Sequence, residues 1–93
     1  LEVFREAADA VATYRHVREA AALKGALCDA AREYVRLAHL QYRAGSINYI
    51  DVLDAQRRYF DAQIGLSNAV RDEHLALVGL YKALGGGWQT GAE

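Results

Sequence analysis

The chain has 93 residues, enough for one small domain at most, and it is 53% hydrophobic with no proline. Eleven basic against twelve acidic side chains leave a net charge of −1, which removes the electrostatic ground for binding nucleic acid or an anionic membrane surface. No apolar run reaches the roughly 18–20 residues that span a bilayer as a helix, and a lone Cys28 excludes an internal disulfide.

The first residues already lie in a helical pattern, with no initiator Met and no signal-peptide pattern ahead of them. The chain therefore reads as a piece of a longer protein. From residue 1 to 42 the sequence predicts one helix. Val3, Ala7, Ala10, Tyr14, Val17, Ala21, Lys24, Cys28, Ala31, Val35, Ala38 and Tyr42 alternate at spacings of four and three. That is the seam of a helix that supercoils against a neighbour. A second stripe, Leu23, Leu27, Ala30, Tyr34 and Leu37, runs beside it.

Residues 43–48 read as a turn. Gly45 tolerates the left-handed backbone that ends a helix, and Ser46 or Asn48 can cap the next one. A connection this short makes the two helices antiparallel neighbours. Asp51 and Asp54 fall near the first turns of the second helix, where negative charge suits the helix dipole.

The second helix is expected over residues 49–84. Its plainest feature is alanine at every seventh position, Ala55, Ala62, Ala69, Ala76 and Ala83, interleaved with Tyr59, Leu66, Glu73 and Leu80. Small residues alternating with larger ones let two helix axes approach closely. Another seam, from Val52 through Leu66 and Leu77 to Leu84, lies alongside. Gly85, Gly86 and Gly87 are expected to stop the helix, leaving 85–93 as a glycine-rich end and tail. The fold class is all-α: a long antiparallel helical hairpin of coiled-coil type. Two seams per helix exceed what one hairpin covers, so the isolated chain is expected to self-associate, at least as a dimer, in a four-helix arrangement.

Two motifs extend this reading. Tyr42, Gly45 and the run Val52-Leu53-Asp54-Ala55-Gln56 resemble the second periplasmic hairpin tip of TolC-like outer-membrane factors. These are the exit ducts of tripartite efflux pumps and type I secretion systems. Leu80-Tyr81-Lys82-Ala83-Leu84-Gly85-Gly86-Gly87-Trp88 is similar to the ending found in the lipoprotein-type multidrug efflux branch. The resemblance implies a trimer with an outer-membrane β-barrel continued by a helical barrel through the periplasm, and two such hairpins per chain. It implies that Ala44, Gly45 and Ser46 form the tip that docks a periplasmic adaptor, itself joined to an inner-membrane pump. It implies that Tyr42, Asp51 and Asp54 line the gate, the aspartates as rings of carboxylates that attract cations and raise one another's pKa. Some members carry an arginine two residues after the tip glycine; here that residue is Ile47.

Plainer readings stand beside these. Asp51 and Asp54 serve as helix N-terminal charges without any pore, and Tyr42 fits an ordinary seam position. His16, His39 and His74 lack the Glu three residues earlier that a di-iron bundle requires, having Thr13, Arg36 and Arg71 there instead. No nucleophile–base grouping and no phosphate loop ahead of a helix is present, so neither an enzyme nor a cofactor is expected. The competing functional reading is a self-standing coiled-coil interaction module that builds a helical bundle.

Overall fold

The computed structural model describes residues 1–92, with side chains described for residues 1–85. It contains two helices, α1 (Glu2–Arg43) and α2 (Tyr49–Ala92), joined by a turn at 44–48. Among the described residues there is no strand, so the fold is an all-α helical hairpin. No described helix is long and apolar enough to cross a membrane.

The chain forms two compact units. The turn-bearing unit is Ala22–Asn68. Within it α1 turns its Gly25, Cys28, Ala31, Val35, Ala38 and His39 face inward, against Val52, Ala55, Tyr59, Ala62, Gly65 and Leu66 of α2. Small side chains permit a close approach here. A Cβ placed on Gly25 would meet Leu66 Cδ1 at 3.9 Å, and one on Gly65 would meet Lys24 Cδ at 3.9 Å. The seam therefore passes through Gly25 and not through Lys24, which is exposed and lays its aliphatic stem over Gly65. A lysine keeps its ammonium in water and offers only its stem to apolar surface.

The tightest packing lies beside the turn. Val52 and Ala55 are completely buried and Ala38 is 3% exposed, with Val35 and Ile47 packed on this cluster. The other unit comprises Leu1–Ala21 and the chain from Ala69 onward. In it Ala7, Ala10, Val11, Tyr14 and Val17 are half-buried and Ala21 is buried. The α2 residues Ala69, Glu73, Ala76, Leu77, Leu80 and Ala83 are half-buried as well. In both units an alanine and its larger neighbours share the covered face, the pattern of close helix–helix packing.

Each helix leaves a second apolar stripe in water. On α1 these are Leu23, Leu27, Tyr34 and Leu37; on α2, Ile50, Leu53, Phe60 and Ile64 in one unit and Leu75, Val78 and Tyr81 in the other. Leu23 is 67% exposed and Phe60 62%. α2 also runs through Gly85–Gly87 to Ala92, past the stop expected at residue 84. A glycine costs a helix about 1 kcal/mol but keeps its N–H, whereas proline removes the bond itself. Glu93 and the side chains from Gly86 onward, Trp88 included, lie outside the described residues.

If the close approach at the turn is what holds the two helices together, extra volume there is costly. Ala55→Leu is expected to destabilise the hairpin by about 1–3 kcal/mol through overpacking. Ser67→Leu, at an exposed α2 position, is expected to change stability by less than about 0.5 kcal/mol. Urea melts followed by circular dichroism compare the two.

Candidate functional site

The sequence-predicted tip residues gather at the turn, and local chemistry explains how. The last carbonyls of α1 have no intrahelical partner. Here the Ser46 N–H donates to the Gln41 carbonyl at 2.9 Å and the Gly45 N–H to the Tyr42 carbonyl at 3.0 Å. That pair is a Schellman motif, and it requires a left-handed residue after the helix. Gly45 supplies it with φ +79°, alone among the described residues in having a positive φ. A Cβ at Gly45 would meet nothing within 4 Å, so the demand is on the backbone and not on space. Ala44, Gly45 and Ser46 are all exposed.

The start of α2 is held from both sides. Asn48 precedes its first residue, and the Asp51 N–H donates to the Asn48 carbonyl at 3.0 Å. Ile47, the residue before the cap, packs against the cluster containing Val52, the arrangement known as a hydrophobic staple. The departure noted at Ile47 thus has a structural role: an apolar side chain here fixes the angle at which the chain enters α2. The signal was an apolar residue just ahead of a cap and five before Val52.

Tyr42 does not stand alone. Its ring packs edge-on against Tyr49 across the turn, centroids 5.0 Å apart and planes at 65°. Both rings are nearly half exposed, at 44% and 46%. The sequence reading missed Tyr49, although a tyrosine on either side of a turn this short is a signal for such a pair. Aromatic pairs in this geometry contribute about 0.5–1.5 kcal/mol beyond their buried area.

Asp51 and Asp54 have different surroundings. Asp51 is exposed in the first turn of α2. Asp54 accepts from Arg57 Nη2 at 3.0 Å and from Arg58 Nε at 2.9 Å. Arg57 also reaches Asp61 at 3.3 Å. The hydrogen bonds from Arg57 and Arg58 hold the Asp54 carboxyl below its ordinary value, and the bond to Asp54 raises the Arg57 guanidinium. Two donors on one carboxylate favour its charged form. α1 carries matching local pairs, Arg36 on Glu33 and Arg32 on Asp29 at 3.4 Å. Between the helices, His39 Nε2 and Gln56 Nε2 lie 3.4 Å apart. The alanine column is on the covered face: Ala55 is fully buried and Ala62, Ala69, Ala76 and Ala83 are half-buried. Among the described residues no group of three or more His, Cys, Asp or Glu is placed to hold a metal.

A family model described as outer membrane efflux protein matches residues 1–86. The chain is similar to the outer membrane protein OprJ of Pseudomonas aeruginosa, 39% identical over 95% of this chain and 18% of OprJ. It is 41% identical to the solvent efflux pump outer membrane protein SrpC of Pseudomonas putida, over 94% of this chain and 18% of that protein. It is 40% identical to the toluene efflux pump outer membrane protein TtgC of Pseudomonas putida, over 95% of this chain and 19% of the relative. The chain thus spans about a fifth of the length of these relatives. No solved structure matches it.

Two outcomes test the tip. Gly45→Ala is expected to cost about 1–2 kcal/mol from the left-handed backbone alone, and Gly45→Val more because of its branched Cβ; thermal melts measure both. Asp54 sets a pH dependence. Its folded pKa is lowered, so its contribution is present above the ordinary Asp value of about 3.9 and is lost as pH falls through the lower folded value. Asp54→Asn is expected to melt below the parent at pH 7, and the gap is expected to close progressively as the solution is acidified below about pH 4.

Proposed function

The chain belongs to the outer membrane efflux protein family, and on that premise we propose that it is one periplasmic hairpin of a longer, trimeric export channel. In this reading α1 descends toward the pump, the turn at 44–48 forms the tip, and α2 returns toward the outer membrane. The observation that carries the reading is the family match across residues 1–86 on a helical hairpin. The uncovered stripes agree with it. Leu23, Leu27, Tyr34 and Leu37 on one helix and Leu53, Phe60 and Ile64 on the other call for further helices on either side. A barrel wall supplies such neighbours to every hairpin.

The exposed tip of Ala44, Gly45 and Ser46 would dock the periplasmic adaptor, which links the duct to an inner-membrane pump. The Schellman turn presents a backbone free of bulk at Gly45, where a partner can come close. Tyr42, Asp51 and Asp54 would lie at the narrow mouth of the trimer. The solvent and toluene efflux named for two relatives supports small-molecule efflux over protein secretion as the activity. The duct's contribution is passage and docking: it closes no catalytic cycle and needs no cofactor.

The test uses the full-length channel carrying this hairpin. Gly45→Val is expected to lower efflux-dependent resistance while trimers still form on native gels. Wild-type resistance in the Gly45→Val channel would reduce Gly45 to an ordinary turn residue and remove the tip from docking.

A further inference from the structure

We propose that Arg57 and Arg58 are specificity-determining residues of the tip: they cancel the charge of Asp54, so that Asp51 supplies most of the cation attraction at that level. The proposal rests on the channel reading above and deepens it. An aspartate pair one helical turn from the mouth would ordinarily count as two negative charges per subunit. The geometry alters that count. Asp54 carries a guanidinium on each of its oxygens, Arg57 on Oδ1 at 3.0 Å and Arg58 on Oδ2 at 2.9 Å. Arg57 is shared with Asp61 at 3.3 Å. Across residues 51–61 three aspartates face two arginines, leaving one net negative charge.

Exposed ion pairs of this kind are seldom strong. Closeness of the charges is enough. Arg57 and Arg58 follow Asp54 at helical spacings of three and four, on one face of α2. Asp54 and Arg58 are roughly 6 Å apart along the axis. That is shorter than the screening length of about 8–10 Å at ordinary ionic strength. A permeating ion therefore senses their sum even when a pair is momentarily broken. Arginine stays charged at every working pH, so the offset is permanent. Asp51 has no cation within ion-pair distance among the described residues, and its field is the one left uncompensated.

The experiment is reversal potential in a KCl gradient across planar bilayers, with the full-length channel reconstituted. Arg57→Gln with Arg58→Gln is expected to raise the cation-to-anion permeability ratio by about twofold or more, because Asp54 is then uncompensated. Arg57→Lys with Arg58→Lys keeps the charge while losing the forked geometry, and is expected to leave the ratio near the parent's. Asp51→Asn is expected to lower it. Unit conductance and circular dichroism of each variant report whether the channel is intact. If Asp51→Asn lowers the ratio and the glutamine pair leaves it unchanged, the arginines do not set selectivity and this inference is overturned while the channel reading stands. If no variant, Asp51→Asn included, moves the potential, the tip residues do not face the pore, and both this inference and the placement of Asp51 and Asp54 at the mouth fall.

Discussion

The close approach of two helices over small side chains is the constraint on which the rest of this structure depends. Five residues in the described chain are buried apolar core, Ala21, Cys28, Ala38, Val52 and Ala55, and three of those are alanines. An alanine contributes little buried area of its own. What it contributes is proximity, with Val35 and Ile47 packed on the cluster of Ala38, Val52 and Ala55. The knot of Ala38, Val52 and Ala55 lies beside the turn, so the turn and the packing reinforce each other. Gly45 ends α1 through its left-handed backbone, Ile47 staples α2, and the two tyrosines meet over the top.

A seam this thin leaves most of the apolar surface uncovered, and that is an architectural statement. A self-sufficient domain of this size would gather its leucines inside. Here Leu23, Leu27, Leu53 and Leu75 are exposed while alanines fill the contact. The small residues face the paired helix, and the large ones are left available to further neighbours. The chain belongs to the outer membrane efflux protein family and spans about 18% of the length of these relatives.

Electrostatics in this hairpin are local. Among the described residues nearly all the ion pairs join residues three or four apart on one helix, Glu33 with Arg36 and Asp54 with Arg57 and Arg58 among them. Such pairs add modest helix stability and are screened by salt. They also set the net charge of the surface around each carboxylate. Asp54 and Asp61 with Arg57 and Arg58 sum to zero net charge, so counting aspartates beside the turn overstates its negative charge.

Much of this was legible in the sequence, because it is encoded locally. The four–three spacing of apolar residues, the heptad alanines and the glycine between two helical runs each specify a helix, a contact face or a turn without knowledge of the rest of the chain. The two motifs, at residues 42–56 and 80–88, identified the family for the same reason. Other features needed the partner helix or the rotamers. Gly25 and not Lys24 sits in the seam, because only the facing helix decides which of two adjacent residues is covered. Ile47 reads as a departure from a motif until Val52 is seen beside it. The pairing of Tyr42 with Tyr49 depends on the path of the turn. The pairing of Asp54 with Arg57 and Arg58 depends on two arginine side chains folding back along their own helix. Period and turn chemistry lie in neighbouring residues and can be read from sequence. The choice of covered face and the net charge at a point are set by what lies across space, and the tertiary structure alone decides them.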